Sequence, residues 1–139
     1  MRQRIPVSKI MTTNLITLNV TDGLDKAESL FKKHHIRHIP VVNGENIVGM
    51  LSLTDLLRIS FADGAFQDEE AVDTVVYNMF TVPQVMAKNL ISVSPEANVK
   101  EVAEILAKKE FHALPVVDHE KLVGIVTTTD LINYLLEQY

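Results

Sequence analysis

Two short phrases carry the side chains best suited to chemistry. Ser52-Leu53-Thr54-Asp55 lies in GMLSLTDL (Gly49–Leu56), and Thr127-Thr128-Thr129-Asp130 lies in GIVTTTDL (Gly124–Leu131). Each sets a hydroxyl three residues before a carboxylate. A carboxylate accepts two parallel hydrogen bonds, which suits the vicinal hydroxyls of a sugar. A hydroxyl at a helix start, with free amides behind it, suits phosphate oxygens. The same spacing has a structural meaning. Ser/Thr-x-x-Asp is a capping-box start, and the helix dipole favours an acid in the first turn. Capping and binding are compatible, and a single copy leaves both open.

Basic residues precede two prolines, in Arg37-His38-Ile39-Pro40 and His112-Ala113-Leu114-Pro115. Taken alone, Arg37 reads as a plain surface arginine, since arginines are mostly solvent-facing. His34, His35 and His38 invite a metal reading. The helix holding the first two must end before Pro40, and no acid or cysteine follows at ligand spacing. The competing reading is a helix C-terminus rich in cations, with Lys32 and Lys33 beside it. No metal site is expected there. The phosphate-loop pattern GxxxxGK, the GxSxG elbow and the HExxH pair are all missing. No Ser, His and Asp stand at triad spacing, so no catalytic residue is assigned and no enzyme is expected.

The elements that must position these groups are written twice. Asp55 and Asp130 stand 75 residues apart, and so do Pro40 and Pro115, Gly49 and Gly124, and Met11 and Met86. Asn14–Thr17 (NLIT) matches Asn89–Ser92 (NLIS) at the same offset, with no gap between Ile10 and Leu57. Each half reads strand, helix, strand, strand, helix. In the second, Leu90–Ser94 is β-prone, Asn98 and Glu101 form a capping box, and Val99, Val102, Ala103 and Leu106 share a helical face. Leu114–Val117 and Leu122–Thr127 flank the polar turn Asp118–Lys121, and a helix follows from Thr128 to Glu137. In the first, Leu24, Ala27 and Phe31 give the helical face, and Asn43–Asn46 is a hairpin turn with Gly44 free to take φ > 0. One half cannot cover its own sheet, whereas two halves packed sheet to sheet can. The expected organisation is repeat 1 over 1–58, an acidic linker over 59–78 and repeat 2 over 79–139, in one integrated module. The linker holds Asp63, Asp68, Glu69, Glu70 and Asp73. It reads as a solvated run with a helical stretch at Glu70–Tyr77, and a cation site is the alternative.

The 139 residues suit one compact unit or two small halves, and a hydrophobic share of 47% argues against global disorder. A net charge of −5 disfavours a nucleic-acid partner. With no cysteine, disulfides and thiolate chemistry are excluded. The opening MRQRIPVSKIMTTN lacks the apolar core of a signal peptide, and no run reaches membrane-span length. The expected location is cytoplasmic, without a membrane.

The ordered set IM, NLIT, amphipathic helix, HIPVV and GMLSLTDL, repeated in register, resembles a cystathionine β-synthase (CBS) domain. Two in tandem resemble a CBS pair, or Bateman module, over about Val7–Leu57 and Val82–Leu136. The resemblance implies an α/β (α+β) fold: two β-α-β-β-α repeats related by pseudo-twofold symmetry, sheets packed together, with two ligand clefts. It also implies a stand-alone, non-catalytic regulatory module, a homodimer, and an adenosine-containing ligand. AMP, ADP or ATP is the foremost candidate, which would mean energy sensing; S-adenosylmethionine and NAD are further candidates, and no cofactor is required. Carried over residue by residue, one crossed cleft takes Ile16, Arg37, His38, Pro40, Thr127 and Asp130. The other takes Ile91, His112, Ala113, Pro115, Ser52 and Asp55. With Arg37 in it, the first is expected to be the tighter nucleotide site. The rival reading is a dimerising interaction module with empty clefts, favoured by apolar Leu56, Leu57, Ile59, Leu131, Ile132, Leu135 and Leu136; intramolecular core is the other use for these residues. The regulated partner is unidentified.

Overall fold

A computed structural model of the chain describes residues 4–62, 77–109 and 112–139. It mixes helices and strands and divides into two compact units, which do not follow the order of the repeats. One unit is Ile16–Asn89; the other joins Met1–Leu15 to Leu90–Tyr139. By sequence the repeats break near residues 58 and 79, whereas by packing the chain divides after Leu15 and after Asn89. Each unit thus contains the opening segment of the other repeat.

In the unit Ile16–Asn89 the elements are β1 (Leu18–Asn19), α1 (Leu24–His34), β2 (His38–Asn43), β3 (Asn46–Ser52), α2 (Leu53–Ala62) and the short α3 (Val82–Val85). β1 runs parallel to β2, with Leu18 opposite Val41. β2 and β3 form an antiparallel hairpin, and Gly44 takes φ 69° at its turn as the sequence leads one to expect. No side chain caps α1 at Gly23. Asp22 braces the approach by accepting the Asn19 amide at 2.8 Å and Lys26 Nζ at 3.2 Å. Leu24, Ala27 and Phe31 bury one face of α1 against Leu18, Ile39, Val41, Leu51 and Leu56. Tyr77 and Val82 join this core, and the Tyr77 hydroxyl donates to Glu28 Oε2 at 2.5 Å. Most of the expected linker, with its acidic run and the bulk of its helical stretch, lies outside the described residues. Its first residues, Ile59–Ala62, still belong to α2.

In the other unit a single 3-10 turn (Val7–Lys9) precedes α4 (Val99–Lys109), β4 (Ala113–Asp118), β5 (Lys121–Thr127) and α5 (Thr128–Glu137). α4 starts as expected: Asn98 Oδ1 accepts the Glu101 amide at 2.8 Å, and Asn98 Nδ2 donates to Glu101 Oε1 at 3.0 Å. The β4–β5 turn has no glycine, yet His119 and Glu120 both take positive φ, 49° and 70°. A two-residue turn of this hand matches the strand twist and requires it. The expected strand over Leu90–Ser94 shrinks to one parallel bridge, Val93 to Val116. The Ser94 hydroxyl accepts the Glu96 amide at 3.1 Å and turns the chain away before a second pair can form. Val7 is fully buried among Val102, Leu106, Leu114, Val116 and Val126. Burial of one such side chain contributes about 1.5–3 kcal/mol. The segment also bonds through its backbone, from Val7 N–H to the Ala97 carbonyl at 2.6 Å and from Val99 N–H to that of Ile5 at 2.8 Å. Val82, 75 residues after Val7, plays the matching part in the Ile16–Asn89 unit.

Candidate functional site

Both phrases fold into the turn that joins a buried strand to a helix. In the first, the Asp55 amide donates to Ser52 Oγ at 3.0 Å, and the Ser52 amide returns a longer bond to Asp55 Oδ2 at 3.4 Å. In the second, the Asp130 amide donates to Thr127 Oγ1 at 3.1 Å and the Thr127 amide to Asp130 Oδ2 at 3.0 Å. The capping reading therefore holds at both copies. It uses one carboxylate oxygen of each aspartate for the backbone and leaves the other, Oδ1, directed at something else. Both aspartates are half-buried, which fixes their side chains while keeping a face open.

The residues before each proline sit beside the phrase of their own unit. His38 lies opposite Ser52 across the hairpin, and the Arg37 carbonyl accepts the Leu53 amide at 2.9 Å. Ala113 lies opposite Thr127, and the His112 carbonyl accepts the Thr128 amide at 3.0 Å. Pro40 and Pro115 are buried as the third residue of these strands, opposite Met50 and Ile125. Proline has no amide to donate, and each stands at a place in the hairpin ladder where its neighbours carry the register. Ile16 is half-buried just before β1, and Ile91 is half-buried against the Val7–Val126 core. Ile16, Arg37, His38, Pro40, Ser52 and Asp55 thus fall in one unit, and Ile91, His112, Ala113, Pro115, Thr127 and Asp130 in the other.

Two residues that the sequence left unremarked touch the aspartates. Arg58, one turn along α2, places Nη1 3.4 Å from Asp55 Oδ1. Thr12, 118 residues from Asp130, brings its hydroxyl to 3.4 Å from Oδ1 and 3.5 Å from Oδ2. Thr12 is held there by paired backbone bonds with Ile125 at 2.8 and 3.0 Å. Ala87 makes the same pair with Met50, at 2.9 and 3.0 Å, and has no hydroxyl to offer. Superposing the two copies at the offset of 75 would have exposed both differences, since Ala87 matches Thr12 and Asn133 matches Arg58.

The remaining features lie outside the phrases themselves. His34 ends α1, His35 takes the left-handed φ of 53° that closes it, and His38 opens β2. Among the described residues no group of three His, Asp or Glu is placed to hold a metal ion. An open groove of about 820 Å³, lined by Arg4, Ile5, Asn98, Lys100, Glu104 and Tyr134 among others, includes no phrase residue. Among the described residues no helix is long and apolar enough to cross a membrane.

Comparison with known proteins fits this geometry. The CBS domain family model matches residues 7–62 and 82–137. CBS domain-containing protein YhcV of Bacillus subtilis is 31% identical over 125 residues, covering 90% of this chain and 81% of its own. Protein MJ1404 of Methanocaldococcus jannaschii is 33% identical over 138 residues, 94% of this chain, which spans only 32% of that relative's length. Two crystal structures share the fold at 24% identity. One is CBSX2 in complex with AMP (TM-score 0.79, covering 96% of this chain and 98% of that one). The other is the CBS domain pair of MJ0100 with 5′-methylthioadenosine and S-adenosyl-L-methionine (TM-score 0.82, covering 99% and 100%).

Proposed function

Since the chain belongs to the CBS domain family, as a tandem pair of such domains, we propose that it is a non-catalytic regulatory module that binds an adenosine-containing ligand. The observation that carries this reading is the state of the two aspartates. Each is seated in a capping box through Oδ2, at 3.0 Å for Asp130 and a longer 3.4 Å for Asp55, and among the described residues Oδ1 meets only exposed contacts of 3.4 Å, from Arg58 at Asp55 and from Thr12 at Asp130. Contacts of that length are weak and yield easily to the closer hydrogen bonds of ribose hydroxyls. Solved relatives of the same fold hold AMP, 5′-methylthioadenosine and S-adenosyl-L-methionine. The proposed contacts are Ser52 and Asp55, Thr127 and Asp130, the first-strand residues Ile16 and Ile91, and the stretches Arg37–Pro40 and His112–Pro115. AMP, ADP and ATP are the foremost ligands, with S-adenosylmethionine and NAD next. A ligand of this kind regulates only if it binds two shapes of the module with different affinity. The test is thermal unfolding against a panel of AMP, ADP, ATP, NAD, S-adenosylmethionine and cyclic di-AMP. Ligand at about 100 times its dissociation constant adds roughly 2.7 kcal/mol of stability. Asp55→Ala and Asp130→Ala should together abolish the shift, and a wild type unmoved by all six at millimolar concentration refutes the reading.

A second reading, self-association, has its own observation. Ile132, Leu135, Leu136 and Tyr139 follow one another at helical spacing along the end of the chain and are exposed, Leu136 at 64% and Tyr139 at 98%. Leu56 is buried and Leu131 packs on the Val7–Val126 core, so only part of the apolar set serves the interior. We propose that this stripe pairs two copies into a homodimer. Light scattering on the intact protein should give twice the chain mass, reduced to one by Ile132→Glu with Leu136→Glu; a wild-type monomer refutes it.

A further inference from the structure

The two phrases share a backbone frame but not a charge. Four positions around them differ between the copies. Beside Asp55 stand Arg37, His38 and Arg58, with Ala87 on the bridging segment; the matching residues beside Asp130 are His112, Ala113, Asn133 and Thr12. The Asp55 phrase therefore has two permanent cations in its own unit. The matched positions around Asp130 carry none, and the added group there is a neutral hydroxyl, 3.4 Å from the carboxylate.

We infer, on the adenosine-ligand reading above and in place of the crossed pairing of Arg37 with Asp130 that the resemblance implies, that the Asp55 phrase takes an adenosine bearing a phosphate and the Asp130 phrase an adenosine whose 5′ substituent carries no negative charge. Arg58 is the residue that sets the difference. Its guanidinium reaches Asp55 Oδ1 at 3.4 Å with 72% of its side chain exposed, and an exposed pair of this kind costs little to break. When ribose hydroxyls take the aspartate oxygens, the fork is released one helical turn away, at the end of α2 whose dipole already favours an anion. A guanidinium fork matches phosphate oxygens in geometry and charge. Arg37 is exposed and its backbone is fixed to Leu53, so a second cation is anchored at the same turn. At Asp130 a phosphate would meet the carboxylate with no permanent cation in these places, which hold His112, Ala113, Asn133 and Thr12. Like charges at short range then oppose it. A sugar alone gains from Asn133 and Thr12, since Thr12 braces the carboxylate without adding charge.

The experiment is calorimetric titration with AMP and with adenosine. Asp130→Ala isolates the Asp55 phrase, and Asp55→Ala isolates the Asp130 phrase. In the Asp130→Ala protein AMP should bind about tenfold more tightly than adenosine, as expected for one charge-assisted contact. Adding Arg58→Asn should bring that ratio close to one, and raising salt from about 50 to about 300 mM should weaken AMP alone. In the Asp55→Ala protein adenosine should bind at least as well as AMP, and Asn133→Arg should tilt the ratio towards AMP. Both replacements copy the residue at the matched position of the other repeat and lie on exposed helix surface. Equal ratios at the two phrases, or a ratio that Arg58→Asn leaves unchanged, overturn the inference while leaving the adenosine reading intact. Failure of both probes to bind the wild type overturns the inference, and the adenosine reading then falls only if the six-ligand panel is silent as well.

Discussion

The glycine that opens each phrase offers a sharp test of how the phrases are seated. Gly49 and Gly124 do not take positive φ, so backbone freedom is not their purpose. Their purpose is close approach. A Cβ on Gly49 would lie 2.2 Å from Met86 Sδ and 2.8 Å from Met86 Cγ and Cε. A Cβ on Gly124 would lie 2.5 Å from Met11 Sδ, 3.0 Å from Cγ and 3.2 Å from Cε. Overpacking of this kind costs typically about 1–3 kcal/mol. Alanine recovers about 0.5–1 kcal/mol by restricting the unfolded chain, and the thioether can swing aside because methionine is flexible. Gly49→Ala is therefore expected to destabilise by about 1–2 kcal/mol, and Gly124→Ala by about half of that, because its contacts are a few tenths of an ångström longer. Urea unfolding measures this, with a drop in melting temperature of about 3 °C per kcal/mol at this chain length. The decisive comparison is Gly49→Ala in a Met86→Ala background. There the clash is gone, and the glycine replacement should be neutral or stabilising, a coupling of about 1 kcal/mol or more. Equal effects in the two backgrounds, or no cost with Met86 present, would refute the idea that the methionine sets the glycine.

Thr127→Ala removes the hydroxyl that accepts the Asp130 amide at 3.1 Å and should cost about 1 kcal/mol in urea unfolding, with Thr127→Ser restoring most of it. Tyr77→Phe deletes the hydrogen bond to Glu28 Oε2 and should cost about 1.5–3 kcal/mol, as for a bond to a charged acceptor; Glu28→Gln should recover part of it in a double-mutant cycle. Asp22 is held below its ordinary value of 3.8, first by the Asn19 amide and then by Lys26, with partial burial opposing. A carboxylate with a lowered folded pKa contributes stability above its unfolded pKa, and that contribution is lost as pH falls through the folded pKa. Wild type and Asp22→Asn should thus differ in melting temperature at pH 7 and converge as the pH falls below 3.8 and through the folded pKa.

Much of the site was legible because it is local. Ser52 and Asp55, and Thr127 and Asp130, cap helices whose starts are fixed by three-residue spacing. The turn at Gly44 and the apolar face of α1 follow from equally short-range rules. The strand expected at Leu90–Ser94 shows the limit: its β-prone side chains are present, but Ser94 finds a closer partner in the Glu96 amide. Arg58 and Thr12 escaped notice for different reasons. Arg58 reaches Asp55 within one helical turn and would have emerged from comparing the two copies. Thr12 reaches Asp130 only because its segment bridges to Ile125.

The sequence by itself determined the duplication, the repeated phrase and the helix starts, because each depends on periodicity or on neighbours a few residues apart. Only the tertiary structure decided which segment braces which phrase. Met1–Leu15 opens the first repeat yet packs with Leu90–Tyr139, burying Val7 and placing Met11 on Gly124 and Thr12 on Asp130. The physical reason is that backbone hydrogen bonds and close packing are indifferent to sequence distance. Two copies of one motif offer the same edge and the same glycine, and local composition cannot say which of the two a segment will choose.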